Sequence, residues 1–136
     1  MVKKTLIKIQ SIILTIYIKT MRTIKFRGKR VKYNPDWHES EWYFGNLLNE
    51  CTIGEVGAGL SSYTYVEVDP KTVGQFTGLK DKNGVEIYEG DMVNEGSFTA
   101  PVIYSERWCE FKLTAANQLG FYSSLEVVGT IHDKKS

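Results

Sequence analysis

The chain is poor in the residues that crosslink or interrupt small proteins. Its 136 residues include two cysteines and three prolines, and 17 Lys and Arg nearly balance 16 Asp and Glu. Two cysteines without a signal-peptide cleavage site indicate a reducing compartment and no disulfide framework. The near-neutral charge excludes a surface built throughout for phosphate contacts. An apolar share of 42% excludes a disordered chain, and the length suits one globular domain.

The sequence also lacks the glycine and serine motifs of common enzyme classes. It contains neither the phosphate-binding pattern G-x-x-x-x-G-K-[ST] nor the nucleophile pattern G-x-S-x-G. Gly54, Gly57 and Gly59 have the dinucleotide spacing in the wrong order, and no helical pattern follows them. These glycines predict a flexible loop over residues 54–62.

The cysteines and histidines do not have the spacing of a zinc site. Cys51, Cys109, His38 and His132 could supply four ligands, but they do not form the close pairs that structural zinc sites use. Cys109 falls on the apolar side of an alternating run, which predicts a small buried hydrophobe. We therefore predict no metal and no cofactor.

The densest polar cluster lies at 36–42, where two glutamates follow His38. A histidine among carboxylates can serve in acid–base catalysis. The H-E-x-x-H pattern of zinc hydrolases fails, because Trp42 stands at the place of the second histidine. We favour a solvated loop that Trp37 and Trp42 anchor to the core, and we predict no catalytic residues and no enzyme.

Residues 1–20 differ from the rest of the chain. They carry four lysines and no acid, which leaves 13 basic against 16 acidic residues, a balance of −3, in residues 21–136. A signal peptide would need a small-residue cleavage site, and a transmembrane helix would need a longer apolar run than the one at 12–18. We favour an extension upstream of a start at Met21, outside a single domain at 21–136, and expect no membrane partner. If translated, this β-branched segment could form a helix or a strand, or aggregate.

The remaining residues alternate between apolar and polar in short runs that turns separate. The runs lie at 22–28, 42–48, 62–68, 73–77, 85–88, 92–93, 102–104, 108–113 and 125–131. This spacing predicts a mainly β domain, a coiled sheet or a small barrel, with α+β character only at its margins. The best helical segments are 113–119 and a turn at 70–72.

The first of these runs has a basic edge. Ile24 and Phe26 fall on one face and Lys25 and Arg27 on the other, which predicts a half-buried strand with its basic residues toward solvent. Basic residues beside aromatic residues can bind single-stranded nucleic acid. The candidate interaction surface consists of Lys25, Arg27, Lys29, Arg30, Trp37 and Trp42. The alternative is a solvated edge that lysines protect from pairing with another strand.

Two turns carry strong local signals. Asn83-Gly84 between strand-like runs predicts a tight hairpin. Asp91 follows Gly90 directly and is expected to accept hydrogen bonds from nearby backbone N–H groups in a turn.

Three segments resemble the YopX family of phage and prophage proteins. They are MRTIKFRG at 21–28, TVGQFTGLKDKNGVEIYEGDMV at 72–93 and EVVGTIHD at 126–133, in the family's order. The central segment, which we call the signature, is long enough to be specific. Residues 1–20 lie outside the part of the chain that resembles the family.

The resemblance implies a mobile-element protein of unassigned activity in the bacterial cytoplasm. It implies a mainly β fold, a small SH3-like barrel after Gly78 and self-association, and it carries over no catalytic, metal or cofactor residues. The matching positions, each of which has a structural interpretation, are Thr77, Gly78, Leu79, Asp81, Asn83, Gly84, Tyr88, Glu89, Gly90 and Asp91.

Two functions follow as hypotheses. The first is a non-enzymatic accessory protein of a phage or prophage that binds a host or phage protein, or assembles with itself as a homo-oligomer. The second is a nucleic-acid-binding regulator that uses the basic edge at 25–32. Because the body of the chain is net acidic, we favour the first.

Overall fold

The computed structural model describes residues 2–20, 22–34, 36, 40–56, 63–114 and 124–133, and the side chains of these residues except 17–20 and 56. The prediction of a mainly β fold is confirmed, since one helix precedes ten strands. In chain order the elements are α1 (Val2–Thr20), β1 (Phe26–Lys29), β2 (Trp42–Asn49), β3 (Thr52–Val56), β4 (Tyr63–Glu67), a 3₁₀ turn (Pro70–Thr72), β5 (Gly74–Lys80), β6 (Glu86–Tyr88), β7 (Asp91–Asn94), β8 (Thr99–Ser105), β9 (Glu110–Leu113) and β10 (Glu126–Thr130).

Six strands form the larger sheet, in the order β4-β3-β2-β1-β5-β6, with antiparallel neighbours throughout. This sheet curls back on itself, because the backbone at the end of β1 forms hydrogen bonds with the backbone at the end of β4. Val31 N donates to Glu67 O at 3.1 Å, and Asp69 N donates to Lys29 O at 2.8 Å. The predicted coiled sheet is therefore present.

Close packing inside the coil depends on glycines. A Cβ on Gly28 of β1 would lie 2.8 Å from Cβ of Val68, closer than side chains tolerate. Gly45 of β2 leaves room for β3, because an added Cβ would lie 2.5 Å from the backbone O of Gly54 and 3.1 Å from Cγ2 of Ile53. Val68 and Ile53 are fully buried, so the two glycines allow the backbone to close over them.

The other four strands form a smaller antiparallel sheet in the order β10-β7-β8-β9. Its buried side chains form one cluster with Ile87 of β6, and the cluster consists of Ile87, Val93, Ala100, Val102, Leu113 and Leu125. The β6 strand therefore bonds to the larger sheet while it contributes to the core of the smaller one. Neither sheet forms a closed barrel in the described residues, and the SH3-like form of the segment after Gly78 stays a prediction.

The first predicted strand differs from the structure in length and in orientation. Pairing begins at Phe26 instead of residue 22. Arg27, predicted to face solvent, is buried, whereas Ile24, predicted to face the core, is 61% exposed. Arg27 points inward because its guanidinium pairs with a buried carboxylate on the other sheet.

The predicted loop at 54–62 is wrong at its beginning. Residues 54–56 belong to β3, and Gly54 faces the side chain of Leu48, with 2.8 Å between an added Cβ and Leu48 Cδ1. A glycine can sit in a strand where a neighbour approaches this closely. Residues 57–62 lie outside the described residues.

The prediction of a buried Cys109 is also wrong. Cys109 is exposed and has a φ of 52°, in a turn where Trp108 N donates to Ser105 O at 3.3 Å. The strand predicted from residue 108 begins at Glu110 for this reason. Of the helical candidates, the turn at 70–72 is confirmed, residue 113 lies in β9, and residues 115–119 lie outside the described part of the chain.

Candidate functional site

A buried ion pair joins the two sheets. Arg27 Nη2 in β1 donates to Asp91 Oδ1 in β7 at 2.6 Å, and the Asp91 side chain is fully buried. The second carboxylate oxygen, Oδ2, accepts from the backbone N of Tyr88 at 2.8 Å. The predicted hydrogen bond from a nearby backbone N–H to Asp91 is confirmed, but the sequence analysis missed the arginine.

Two aromatic rings enclose the guanidinium of Arg27. Its Cζ lies 4.5 Å from the centre of the Trp42 ring and 4.9 Å from that of Tyr88. Cation–π contacts are strongest where water is excluded. Arg27 Nε is buried and has no hydrogen-bond acceptor among the described residues. Arg27 is therefore held by one carboxylate and two rings, inside the protein.

Burial dominates the electrostatics of this pair. It raises the pKa of the Asp91 carboxyl above its ordinary value, although Arg27 and the N–H of Tyr88 both lower that pKa. Removing two charges from water is costly, and an ion pair only partly offsets that cost. Loss of either member would leave the other buried without a counter-charge.

A second ion pair involves Lys25, directly before β1, and Glu86 of β6. Lys25 Nζ lies 2.6 Å from both carboxylate oxygens of Glu86 and 4.9 Å from the centre of the Phe76 ring. Glu86 Oε2 also accepts from Tyr88 Oη at 2.9 Å. Burial opposes ionisation of Glu86, but the hydrogen bonds from Lys25 and Tyr88 lower its pKa below the ordinary value.

Lys29 is the third paired cation at alternate positions of the segment 25–29. Its Nζ lies 3.1 Å from Glu41 Oε1 and donates to the backbone O of His132 at 3.2 Å. Like Lys25 and Arg27, it has a carboxylate beside it within the chain. Each such pair reduces the positive charge that the strand presents to an external phosphate.

The other residues of the predicted interaction surface lie around this strand. Arg30 Cζ lies 4.9 Å from the centre of the Tyr43 ring. Trp42 is half-buried between Arg27 and the Lys29 Nζ, which is 5.2 Å from its ring centre. Trp37 lies outside the described residues. The structure thus brings the basic residues and Trp42 together, but largely in contact with one another and with acids.

Asp81 of the signature fastens a hairpin to β10. Its Oδ1 accepts from the backbone N of Asn83 and of Val85 at 2.8 and 2.9 Å, and its Oδ2 accepts from Val127 N at 3.0 Å. Burial opposes ionisation, but these three hydrogen bonds lower the pKa of Asp81 below its ordinary value. A hairpin is present at Asn83-Gly84 as predicted, but its turn is wider than the tight one expected, because Lys80 pairs with Glu86 and residues 81–85 form the loop. Gly84 has a positive φ of 81°.

Other signature residues contact the core or set the path of the backbone. Thr77 Oγ1 donates to Ile87 O at 2.8 Å, and Leu79 packs against the core of the smaller sheet. Gly78 and Gly90 have φ values of 90° and 85°, which side chains rarely adopt. All of these contacts lie within the fold, in line with the structural interpretation of the signature.

A cleft of about 160 Å³ opens beside Gly90. Its lining residues are Lys71, Val73, Glu89, Gly90, Val102, Ile103, Ile131 and His132. His132 Nε2 would lie 3.4 Å from a Cβ on Gly90, so the glycine leaves room for the imidazole. Burial, together with the charges of Arg27 and Lys29, lowers the pKa of His132 below 6.5. The site therefore favours the neutral imidazole over the protonated form more than water does.

An exposed apolar surface lies on the outer part of the larger sheet. Tyr63 and Tyr65 occupy alternate positions of β4 and are 67% and 69% exposed, and Leu48 of β2 is 57% exposed. Tyr65 pairs across the strands with Gly54, over which Leu48 lies. We call Leu48, Tyr63 and Tyr65 the tyrosine face. The sequence analysis placed both tyrosines on a strand but did not identify them as a surface.

The described residues offer little metal chemistry. They contain no group of three or more His, Cys, Asp or Glu side chains arranged to hold a metal ion. Cys51 and Cys109 are both free thiols. His38, the histidine of the polar cluster, lies outside the described part of the chain.

The comparisons with known proteins identify the family. No curated protein matches the chain. Residues 25–135 match the family described as YopX protein, and this match covers most of the chain, from β1 past β10. It includes the ion pair, the signature, the cleft and the tyrosine face. The resemblance noted in three segments of the sequence is thereby confirmed, and the chain belongs to the YopX family.

Proposed function

We propose that this protein is a non-enzymatic accessory protein of a phage, prophage or related mobile element. In this proposal it acts in the cytoplasm of a bacterial host by binding a protein surface, either of a host or phage protein or of a second copy of itself. Membership of the YopX family supports the first part. The tyrosine face is the observation that carries the second.

The tyrosine face has the chemistry of a protein interface. Three large side chains are more than half exposed, two on the outer strand β4 and one on β2, the second strand from it. Tyrosine combines a large apolar ring with a hydroxyl that can stay hydrated or bonded, and it is enriched in interfaces. Exposed apolar patches on soluble proteins frequently mark interaction sites.

The polar groups of the signature support a role without catalysis. Asp81, Glu86 and Asp91 each accept hydrogen bonds from within the fold. Carboxylates that already accept such hydrogen bonds hold the strands together and are not free to accept a proton from a substrate. The signature then maintains the fold that displays the tyrosine face.

Nucleic-acid binding through the basic edge at 25–32 is the second candidate. The observation in its favour is that basic residues and Trp42 lie side by side. The pairing of Lys25 with Glu86 and of Lys29 with Glu41 weakens it. Titration of short DNA and RNA at low and high salt tests it, because binding through phosphates falls steeply with salt.

Light scattering after size-exclusion chromatography tests the favoured proposal. The full chain is compared with Tyr63→Ser/Tyr65→Ser and with a control, Trp108→Ser, which removes an exposed ring from the turn before β9. We expect a mass above 15.5 kDa for the wild type and the control, and a lower mass for the tyrosine variant. A wild-type monomer that also captures no protein from a host lysate would contradict the proposal.

A further inference from the structure

Helix α1 has a polar side that runs along its length. Lys4, Lys8, Ser11 and Thr15 follow one another at spacings of three or four residues, so they share one face. Thr15 Oγ1 also donates to the backbone O of Ser11 at 2.8 Å. With four lysines and no acid in residues 1–20, the helix is strongly positive.

The opposite side of α1 is apolar and exposed to solvent. Leu6, Ile9 and Ile13 occupy this side by the same helical spacing. Leu6 and Ile13 expose more than half of their surface and Ile9 nearly half. Ile12, three residues after Ile9, widens this side and is also more than half exposed, so the apolar arc is broad. A broad arc suits an extended apolar phase better than the narrow seam of two paired helices.

The composition of α1 favours a helix that is stabilised from outside. β-Branched residues such as isoleucine have lower helix propensity than alanine or leucine. An isolated helix of this length is marginal in water, and most helices in proteins gain their stability from a packed apolar face. An apolar phase that covers Leu6, Ile9 and Ile13 would supply that stability.

We infer that α1 binds the surface of an anionic lipid bilayer. It lies in the plane of the interface, with Leu6, Ile9 and Ile13 at the acyl boundary and Lys4 and Lys8 against the headgroups. An amphipathic helix with lysines on its polar face is typical of such binding, and each lysine near an anionic surface adds to it.

Charge also favours an anionic lipid surface over a second copy of α1 as the binding partner of this helix. Two copies of α1 packed through their apolar sides would leave Lys4 and Lys8 of each helix without a counter-charge, because residues 1–20 contain no acid. Anionic lipid supplies the missing negative charge. Lys8, near the middle of α1, favours a helix on the surface over one that crosses the bilayer. In the described residues no helix has both the length and the apolar character to cross a membrane.

This inference departs from the expectation of no membrane partner. That expectation weighed a cleaved signal peptide and a transmembrane helix against an upstream extension. A helix that lies on a membrane surface was not among these alternatives. The two faces of α1 became evident from the structure. The inference is independent of the tyrosine face, which lies on β2 and β4.

Co-sedimentation of the full chain with vesicles tests the inference. One set of vesicles is phosphatidylcholine, and the other is equal parts phosphatidylcholine and phosphatidylglycerol. We expect at least about tenfold stronger binding to the anionic vesicles, and weaker binding as salt rises. Lys4→Glu/Lys8→Glu should lose this binding, and Ile9→Asp/Ile13→Asp should lose binding to both sets.

A charge-matched control separates α1 from the rest of the protein. Lys32→Glu/Lys80→Glu changes the net charge equally at two exposed positions outside α1 and should bind anionic vesicles as the wild type does. No binding of the wild type, or equal loss in both lysine variants, would overturn the inference. It would also be overturned if Lys4→Glu/Lys8→Glu changed the molar mass of the protein without changing its vesicle binding, because α1 would then hold two copies together.

Discussion

Arg27 of the larger sheet and Asp91 of the smaller sheet are 2.6 Å apart at Nη2 and Oδ1, in a site that excludes water. Asp91 belongs to the signature and Arg27 to the opening strand, so the ion pair joins two of the three segments that identify the family. Trp42 and Tyr88 cover the guanidinium from two sides. The ion pair is therefore one of the contacts that hold the two sheets together, beside the packing of Ile87 in the core of the smaller sheet.

The first prediction concerns removal of one member of the ion pair. Arg27→Met leaves Asp91 buried without a counter-charge, and the free energy of unfolding should fall by about 3–5 kcal/mol. Arg27→Met/Asp91→Leu should lose less than the sum of the two single variants, since it removes both charges. Urea unfolding measures all three. Lys82→Met, which breaks an exposed pair with Glu126, is the control and should cost less than about 1 kcal/mol. Equal losses in Arg27→Met and Lys82→Met would show that the buried pair has no special role.

The second prediction concerns the closely packed coil of the larger sheet. Gly28→Ala places a Cβ against Val68 and should reduce the free energy of unfolding by about 1–3 kcal/mol. Val68→Ala in the same chain removes Cγ2 and Cγ1, which would lie 2.8 and 3.2 Å from the added atom, and leaves only the contact with Cβ, so the double variant should lose less than the two single variants together. A double-mutant cycle by chemical denaturation measures the difference. Strict additivity would mean that the two residues do not meet.

The third prediction concerns Asp81, whose carboxylate accepts three backbone N–H groups. Asp81→Ala leaves these donors without an acceptor and should cost about 2–4 kcal/mol of unfolding free energy. Because the folded protein lowers the pKa of Asp81, its contribution is complete well above pH 3.8 and is lost as the pH falls below that value. Unfolding measured between pH 7 and pH 3 should therefore show a shallower acid loss in Asp81→Ala. A variant with the wild-type acid slope would contradict this role.

The fourth prediction concerns His132 in the cleft beside Gly90. Folding lowers its pKa, so the unfolded chain binds a proton more readily than the folded protein does. Stability should therefore be complete above pH 6.5 and fall as the pH drops from 6.5 toward the lower pKa of the folded state. His132→Asn should remove this part of the pH dependence and leave the loss at more acidic pH, which belongs to carboxylates such as Asp81. Denaturation over a pH series measures the slope, and an NMR titration of the imidazole should give a midpoint below 6.5. A midpoint above that value would refute the assignment.

Local chemistry accounts for the parts of the fold that the sequence predicted well. Alternation and turn residues located most of the strands, and Asn83-Gly84 located the hairpin between β5 and β6, because the positive φ of Gly84 is readily adopted by glycine itself. Asp91 was correctly expected to accept a nearby backbone N–H, since that contact spans only three residues.

The parts that the sequence did not predict depend on contacts distant in the chain. Arg27 and Ile24 fall on opposite faces of the predicted run, and the sequence pattern does not show that Arg27 meets the buried Asp91, which lies 64 residues further along the chain. The strand at 52–56 was not predicted, because Gly54 is a residue typical of loops. Glycine fits this strand because the side chain of Leu48 lies over it. The tyrosine face was not predicted for the same reason. Alternation places Tyr63 and Tyr65 on one side of a strand but does not show whether another element covers them.

The most direct test of the proposed function is a capture experiment. Tagged full-length protein is incubated with a host lysate that also contains the untagged chain, and Tyr63→Ser/Tyr65→Ser and Trp108→Ser are treated in the same way. The account predicts that wild type and Trp108→Ser retain the same protein, a second copy or a host or phage protein, and that the tyrosine variant loses it while it unfolds at the same urea concentration as the wild type. Retention of the same proteins by all three, or of none by the wild type, would contradict it.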